Sequence, residues 1–81
     1  MNDVAANVLL VEDSQSLATA YIEYLARQPC RITHVMTGRE ALEIIESQTP
    51  NAVLLDLELP DMNGREILEH IRQKAIPTAV I

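Results

Sequence analysis

The sequence is poor in several residue types, and each shortage narrows the class of protein. It has one cysteine, no phenylalanine and no tryptophan, and only two tyrosines. One cysteine cannot close a disulfide within the chain, which argues against a disulfide-stabilised secreted fold and favours a reducing, cytoplasmic setting. With 48% hydrophobic residues, almost all of them aliphatic, the chain is too apolar for a disordered segment and suits a packed α/β core.

Positive charge is also scarce. Six Lys and Arg residues stand against twelve Asp and Glu residues, which gives a net charge of −6 and a pI of about 4.6. Nucleic acids and anionic membrane surfaces attract basic patches, so we expect no direct binding of this chain to either. No apolar run approaches the roughly 18 residues of a membrane-spanning helix, and the N-terminal residues lack the pattern of a secretory leader.

The order of apolar and polar residues predicts alternating strands and helices. A length of 81 residues allows one domain. We predict strands over about 7–11, 31–35, 52–56 and 77–81, and helices over about 15–27, 38–48 and 64–73. Alternation of this kind is typical of a parallel sheet with right-handed crossovers and helices on its faces.

The first predicted helix carries an apolar stripe that is expected to pack against the sheet. Its members recur at helical spacing and are Leu17, Tyr21, Tyr24 and Leu25. The two histidines, His34 and His70, belong to no recognisable motif. They are therefore predicted to lie on the surface without a functional role.

The acidic residues at two strand ends are the most informative feature of the chain. Glu12 and Asp13 follow the apolar run 8–11, and Asp56 follows the apolar run 52–55. Both runs predict strands that are buried on both faces, and parallel neighbours would bring the three carboxylates to one end of the sheet. Such a cluster is unfavourable unless a cation or a shared proton relieves the repulsion. It therefore favours bound Mg²⁺ and phosphate chemistry.

Simpler interpretations of these acids compete with a functional one. Acids such as Glu12 and Asp13 are also typical of helix starts, where the helix dipole favours negative charge. Asp56 alone is also typical of a turn that follows a strand. Asp56 and Glu58 further resemble the paired acids of aspartate-nucleophile phosphatases, but those enzymes place the pair after their first strand and add a cap. A nucleotide-binding site is disfavoured because the first strand lacks the glycines that approach a pyrophosphate.

Three segments of the chain resemble the receiver domain of two-component response regulators. The segments are 8–13, 53–57 and 59–64. Within them, a proline lies four residues and a glycine eight residues after Asp56, and an acidic pair lies about forty residues before it. The resemblance covers nearly the whole chain from residue 7 onward. The segments are also similar to receivers of sigma-54-dependent quorum-sensing regulators.

The resemblance implies a fold, a chemistry and partners. The fold would be flavodoxin-like, with a parallel sheet in the order 2-1-3-4-5. Asp56 would be the phosphoacceptor, Asp13 and Asp56 would be the nearer Mg²⁺ ligands, Glu12 would help to organise the ion, and the backbone carbonyl of Glu58 would complete the protein ligands. A histidine kinase or a histidine phosphotransfer protein would donate the phosphoryl group, and an attached transcriptional output domain would respond. The chain would then not be an enzyme in the ordinary sense.

The chain departs from the family pattern at its end. The family has a Thr or Ser after its fourth strand and a Lys after its fifth, and Lys74, the only lysine, matches neither position. We therefore expect an incomplete receiver domain over 1–81, its N-terminal two-thirds, with strand order 2-1-3-4 and truncated before the fifth strand. The apolar segment 78–81 would leave an uncovered sheet edge, through which two copies would pair or exchange elements. The alternative function is thus a self-associating fragment with impaired phosphorylation.

Overall fold

A computed structural model describes residues 5–81, which fold around one parallel sheet. The elements in chain order are β1 (Ala6–Val11), α1 (Gln15–Leu25), β2 (Cys30–Val35), α2 (Gly38–Gln48), β3 (Ala52–Leu55), α3 (Gly64–Gln73) and β4 (Ala79–Val80). The strand order is β2-β1-β3-β4, and all three neighbouring pairs are parallel. This confirms the predicted flavodoxin-like order 2-1-3-4. The prediction that the N-terminal residues lack a secretory leader falls partly on residues 1–4, which lie outside the described residues.

The hydrophobic core lies between the sheet and the helices α2 and α3. Its buried members are Leu9, Val11, Val35, Ala41, Ile45, Val53, Ile67 and Ile71. Alternate residues of a strand face opposite sides, so Leu9 and Val11 enter this core while Leu10, also buried, faces the other side of the sheet. Each fully buried Leu or Ile side chain contributes about 1.5–3 kcal/mol relative to solvent exposure. The core therefore fixes β1 in the centre of the sheet.

Helix α1 faces the sheet with a different stripe from the predicted one. Ala18 is fully buried, and Ile22 and Leu25 are half-buried, so the inward positions run at i, i+4 and i+7 from Ala18. Most of the predicted stripe is exposed: Leu17 by 51%, Tyr21 by 45% and Tyr24 by 77%. The prediction that these side chains pack on the sheet is wrong. The inward face of α1 is therefore centred on Ala18 and not on Leu17.

Besides the ends of β3 and β4, three element ends differ from the predicted bounds by one or two residues. β1 and β2 each begin one residue earlier than predicted, because Ala6 and Cys30 pair across the two strands. α1 ends at Leu25, two residues earlier than predicted. The reason is a tightened last turn: Ala26 and Gln28 each donate a backbone hydrogen bond to a carbonyl three residues back.

β4 is shorter than the predicted strand 77–81. It comprises only Ala79–Val80. Pro77 has no N–H to donate to a neighbouring strand, and the N–H of Thr78 donates to the carbonyl of Ile76 instead. The segment therefore joins the sheet only after Thr78. No helix within residues 5–81 has both the length and the apolar character to span a membrane.

All three helices begin near the carboxyl-terminal edge of the sheet, each with a polar N-cap. Ser14, Thr37 and Asn63 each accept a hydrogen bond from a backbone N–H of the first helical turn. In α3, Asn63 and Glu66 form a reciprocal capping box. At the far ends of α2 and α3, His70 contacts the carboxylate of Glu46. The polar backbone groups of the helix starts are thus concentrated around one edge of the sheet.

Candidate functional site

Three acidic side chains converge at the carboxyl-terminal edge of the sheet. The register of β1 and β3 pairs Val11 with Leu55. Glu12 and Asp56 therefore occupy the next positions after these two neighbouring strands. β3 ends at Leu55, one residue before the predicted end, yet the N–H of Asp56 still donates to the carbonyl of Val11 at 3.1 Å. Carboxylate oxygens of Glu12, Asp13 and Asp56 all lie within 4.8 Å of one another. We call these three residues the acidic cluster.

Glu12 is the most buried member of the acidic cluster. Only 7% of its surface is exposed, and its carboxylate accepts a hydrogen bond from the N–H of Ser14 at 3.2 Å. Burial raises the pKa of the Glu12 carboxyl, the bond from Ser14 lowers it, and the neighbouring carboxylates of Asp56 and Asp13 raise it further. The net direction is upward. Burial is thus the main cause of the raised pKa of Glu12, and the nearby carboxylates add to it.

Asp56 is held by the loop that follows it. Its Oδ1 accepts a hydrogen bond from the N–H of Glu58 at 3.0 Å. Glu58 also forms an isolated antiparallel bridge with Asn63, and Gly64 donates its N–H to the carbonyl of Leu57 at 2.8 Å. The loop is therefore closed on itself between the end of β3 and the start of α3. This closure places Glu58, the fourth predicted site residue, directly beside Asp56.

An open cleft leads to the acidic cluster. Glu12, Asp56 and Glu58 line it together with apolar side chains, among them Tyr21 of α1 and Ile81 near the end of the chain. The carboxylates thus lie at the polar end of an otherwise apolar cleft. A small anionic group that approaches them would meet like charge unless a cation accompanied it.

Asp61 ties the loop after β3 to the start of α2, a contact that the sequence did not reveal. Its Oδ1 accepts from the N–H of Gly38 at 2.8 Å, and its Oδ2 accepts from the N–H of Arg39 at 3.0 Å. These two bonds, first Gly38 and then Arg39, lower the pKa of the Asp61 carboxyl. The partners are more than twenty residues apart in sequence. Local spacing therefore carries no signal of this contact.

Replacing Asp61 with Ala is expected to lower the urea midpoint of unfolding at pH 7. The folded state depresses the pKa of Asp61 below its usual value of 3.8. Its stabilising contribution is therefore complete above pH 3.8 and is lost as the pH falls through the lower folded-state pKa. The urea midpoints of the original chain and of Asp61→Ala should converge at low pH. At pH 7, the midpoint of Asp61→Asn, which keeps one acceptor oxygen, should lie between those two. A difference in midpoint that is independent of pH would contradict this.

His34 contacts the backbone of the acidic cluster, although the sequence predicted a surface residue without a role. It lies on β2, is half-buried, and its Nε2 is 2.8 Å from the carbonyl oxygen of Glu12. A carbonyl oxygen only accepts, so Nε2 carries the hydrogen of this bond. The N–H of Glu12 donates in turn to the carbonyl of Val35 at 3.1 Å. β2 therefore holds Glu12 through both of its backbone polar groups.

Comparison with known proteins gives this site a family context. The family model for the response regulator receiver domain matches residues 8–81. The regulatory protein LuxO of Vibrio cholerae is 39% identical to the chain over 72 residues, which make up 89% of this chain and 16% of LuxO. The chain thus spans about a sixth of the length of this relative.

Solved structures agree with the sequence comparison. A crystal structure of a signal receiver domain from Vibrio parahaemolyticus, assigned to a Luxo repressor protein, has 49% identity and a TM-score of 0.92, over 95% of this chain and 59% of that chain. The phosphorylated cyanobacterial phytochrome response regulator RcpA has 31% identity and a TM-score of 0.83, over 95% and 64% of the two chains. Sequence, strand order and family model thus agree. The chain belongs to the response regulator receiver domain family.

Proposed function

We propose that this chain is a phosphoacceptor module that takes a phosphoryl group from a phosphohistidine donor onto Asp56. The observation that carries the proposal is the acidic cluster, in which carboxylate oxygens of Glu12, Asp13 and Asp56 lie within 4.8 Å of one another. Asp56 is half-exposed to the cleft, whereas Glu12 is buried. Burial therefore disfavours Glu12 as the acceptor, and between the accessible Asp13 and Asp56 the resemblance to receiver domains selects Asp56.

The acidic cluster fits a bound Mg²⁺. Mg²⁺ prefers oxygen ligands and is usually held by one or two carboxylates. The cluster offers carboxylate oxygens of Glu12, Asp13 and Asp56 within 4.8 Å of one another. We assign the carboxylates of Asp13 and Asp56 as the nearer ligands, Glu12 as an organising acid, and the backbone carbonyl of Glu58 as the last protein ligand. The bound ion would neutralise the charge of the transferred phosphoryl group.

The chemistry proposed for Asp56 is a single phosphoryl transfer. A carboxylate oxygen attacks phosphorus, the P–N bond of the donor phosphohistidine breaks, and the departing imidazole nitrogen takes up a proton from solvent. The product is an acyl phosphate on Asp56, a covalent species that stores the signal. Oδ1 accepts the N–H of Glu58, which fixes the plane of the carboxylate for this attack.

The whole regulator is proposed to control transcription in the cytoplasm. Its donor would be a histidine kinase or a histidine phosphotransfer protein, and its output domain would be of the sigma-54-dependent quorum-sensing type suggested by the sequence. The module would not be an enzyme in the ordinary sense, because the acyl phosphate is its product and its signal. Turnover of a phosphomonoester by the chain would instead favour the phosphatase alternative.

The alternative function, a self-associating fragment, is not favoured by the family match. Pairing or exchange of two copies through residues 78–81 stays a prediction. β4 does lie at one edge of the sheet, and Ile81 beside it is 75% exposed. These features suit pairing between chains but do not identify a function for it.

The proposed function is tested by intact mass spectrometry after incubation with Mg²⁺ and a small acyl phosphate donor. We expect the mass of one phosphoryl group to be added, because Asp56 is the single proposed acceptor. Chelation of Mg²⁺ should prevent the adduct, and neutral hydroxylamine, which cleaves acyl phosphates, should remove it. Failure to form an adduct at any Mg²⁺ concentration, or an adduct that resists hydroxylamine, would overturn the proposal.

A further inference from the structure

The peptide between Glu12 and Asp13 is held from the neighbouring strand by a side chain. Leu10 pairs with His34 and Val11 with Val35 in the parallel register of β1 and β2. Beyond these pairs, the N–H of Glu12 continues the ladder by donating to the carbonyl of Val35 at 3.1 Å. Its carbonyl accepts from Nε2 of His34 at 2.8 Å.

His34 supplies a donor that the backbone of β2 no longer provides. In a parallel ladder continued past Val35, the carbonyl of Glu12 would accept from the N–H of Thr37. β2 ends at Val35, however, and Thr37 serves as the N-cap of α2. The imidazole of His34 reaches along the strand and fills the place of that donor. A buried or half-buried carbonyl left without a donor would be costly, and its peptide plane would be free to turn.

We propose that His34 is a positioning residue for the acidic cluster, acting through the carbonyl of Glu12 to set the direction of Asp13. The inference rests on the proposed function of the cluster as a Mg²⁺ site and names a residue that supports it. The carbonyl of Glu12 belongs to the peptide that leads directly to Asp13, so a turn of that peptide reorients the Asp13 side chain.

The orientation of the Asp13 side chain should affect how tightly the acidic cluster binds Mg²⁺. Asp13 is exposed, whereas the carboxylate of Glu12 is already fixed by burial and by the N–H of Ser14. Asp13 lies between Glu12 and Ser14 in the chain. The direction of its side chain therefore depends on the peptide that His34 holds. Groups that orient metal ligands from outside the coordination sphere typically change metal affinity by about 10–100-fold when they are removed.

The test compares two nearly isosteric replacements of His34 in the full chain. His34→Gln keeps a nitrogen donor at the position of Nε2, whereas His34→Met has a similar length and no donor. Mg²⁺ is titrated into each protein, and its dissociation constant is measured from the amide NMR shifts of Asp13 and Glu58. We expect His34→Met to bind Mg²⁺ about tenfold more weakly than the original chain. We expect His34→Gln to restore most of the affinity.

Two further readouts separate positioning from general stability. Urea unfolding without Mg²⁺ should show that both variants are fully folded at zero urea, with a lower midpoint for the Met variant because the carbonyl of Glu12 loses its donor. The ring nitrogen shifts of His34 in the original chain should show the hydrogen on Nε2. If His34→Met does not fold, His34→Asn makes the same comparison, because its amide nitrogen falls one methylene short of the carbonyl.

The outcomes distinguish this inference from the proposed function beneath it. Equal Mg²⁺ affinity in the original chain and in the donor-free variant would overturn the role of His34 and leave the Mg²⁺ site intact. Weak binding by both Gln and Met variants would also overturn it, because the donor would then not be the cause. Absence of Mg²⁺ binding by the original chain would overturn the Mg²⁺ site and the inference together.

Discussion

Replacing Asp56 with Asn is expected to abolish the phosphoryl adduct completely while the fold becomes more stable. Asn has no carboxylate oxygen to attack phosphorus, so no acyl phosphate forms. Its side-chain oxygen can still accept the N–H of Glu58, which keeps the loop after β3 in place. Loss of one negative charge relieves the repulsion that contributes to the raised pKa of Glu12. Two unit charges at such a spacing interact by about 1 kcal/mol in a mainly aqueous surrounding.

The measurement is intact mass after reaction with Mg²⁺ and the phosphodonor, together with urea unfolding at neutral pH. Asp13→Asn is the matched control, because it removes the same charge from the cluster without removing the nucleophile. This control should still form the adduct, but only at Mg²⁺ concentrations raised at least about tenfold. An adduct on the Asp56→Asn protein would contradict the assignment of the acceptor. A lower unfolding midpoint for that protein would contradict the account of repulsion.

Gly64→Ala is expected to destabilise the protein, although helix propensity alone predicts the opposite. Alanine is favoured over glycine within a helix by up to about 1 kcal/mol, and Gly64 is the first residue of α3. A Cβ at this position, however, would lie 2.6 Å from the carbonyl oxygen of Asp56 and 2.9 Å from Cα of Leu57. These are backbone atoms and cannot swing aside. Overpacking of this kind costs about 1–3 kcal/mol, a large share of the roughly 5–15 kcal/mol of a typical domain.

The same replacement should also slow phosphorylation, because the end of β3 that carries Asp56 must move away from α3. Gly38→Ala is the matched control. Gly38 is the first residue of α2, and a Cβ there would overlap Cγ and Sδ of Met62. The side chain of Met62 has three rotatable bonds and can repack, so this variant should lose much less stability and react at the original rate. Urea unfolding and adduct formation rates measure both effects, and equal losses for the two variants would contradict the steric argument.

The convergence of the acids could be predicted from the general rules of parallel sheets, whereas the strand order was implied by the resemblance to receiver domains. Two continuous apolar runs predict buried neighbouring strands, and acids at their carboxyl ends must then meet. The glycine eight residues after Asp56, Gly64, lies where a larger residue does not fit. The reason is not a left-handed conformation, since no glycine within residues 5–81 has positive φ. It is the close approach of the Asp56 backbone, which local sequence does not show.

The errors arose where a side chain finds its partner far along the chain. In α1, periodicity alone also hardly separates a stripe that begins at Leu17 from one that begins at Ala18, and the structure buries Ala18 and exposes Leu17. His34 and Asp61 both bind backbone groups more than twenty residues away. Nothing in their immediate neighbours signals these bonds. They became visible only when the ends of β1 and β2 and the loop after β3 were placed beside one another.

The central position of β1 determines how rarely the acidic cluster comes apart. β1 is hydrogen-bonded on both sides, to β2 over six residue pairs and to β3 over four, whereas β4 contributes two pairs at the edge. In native-state hydrogen exchange, the amides of Leu9, Leu10 and Val11 should therefore exchange only through openings close to global unfolding. The amides of β4 should exchange through small local openings. Glu12 and Asp13 thus follow the segment of the chain that opens least often, so the site should persist through most of the molecule's spontaneous fluctuations.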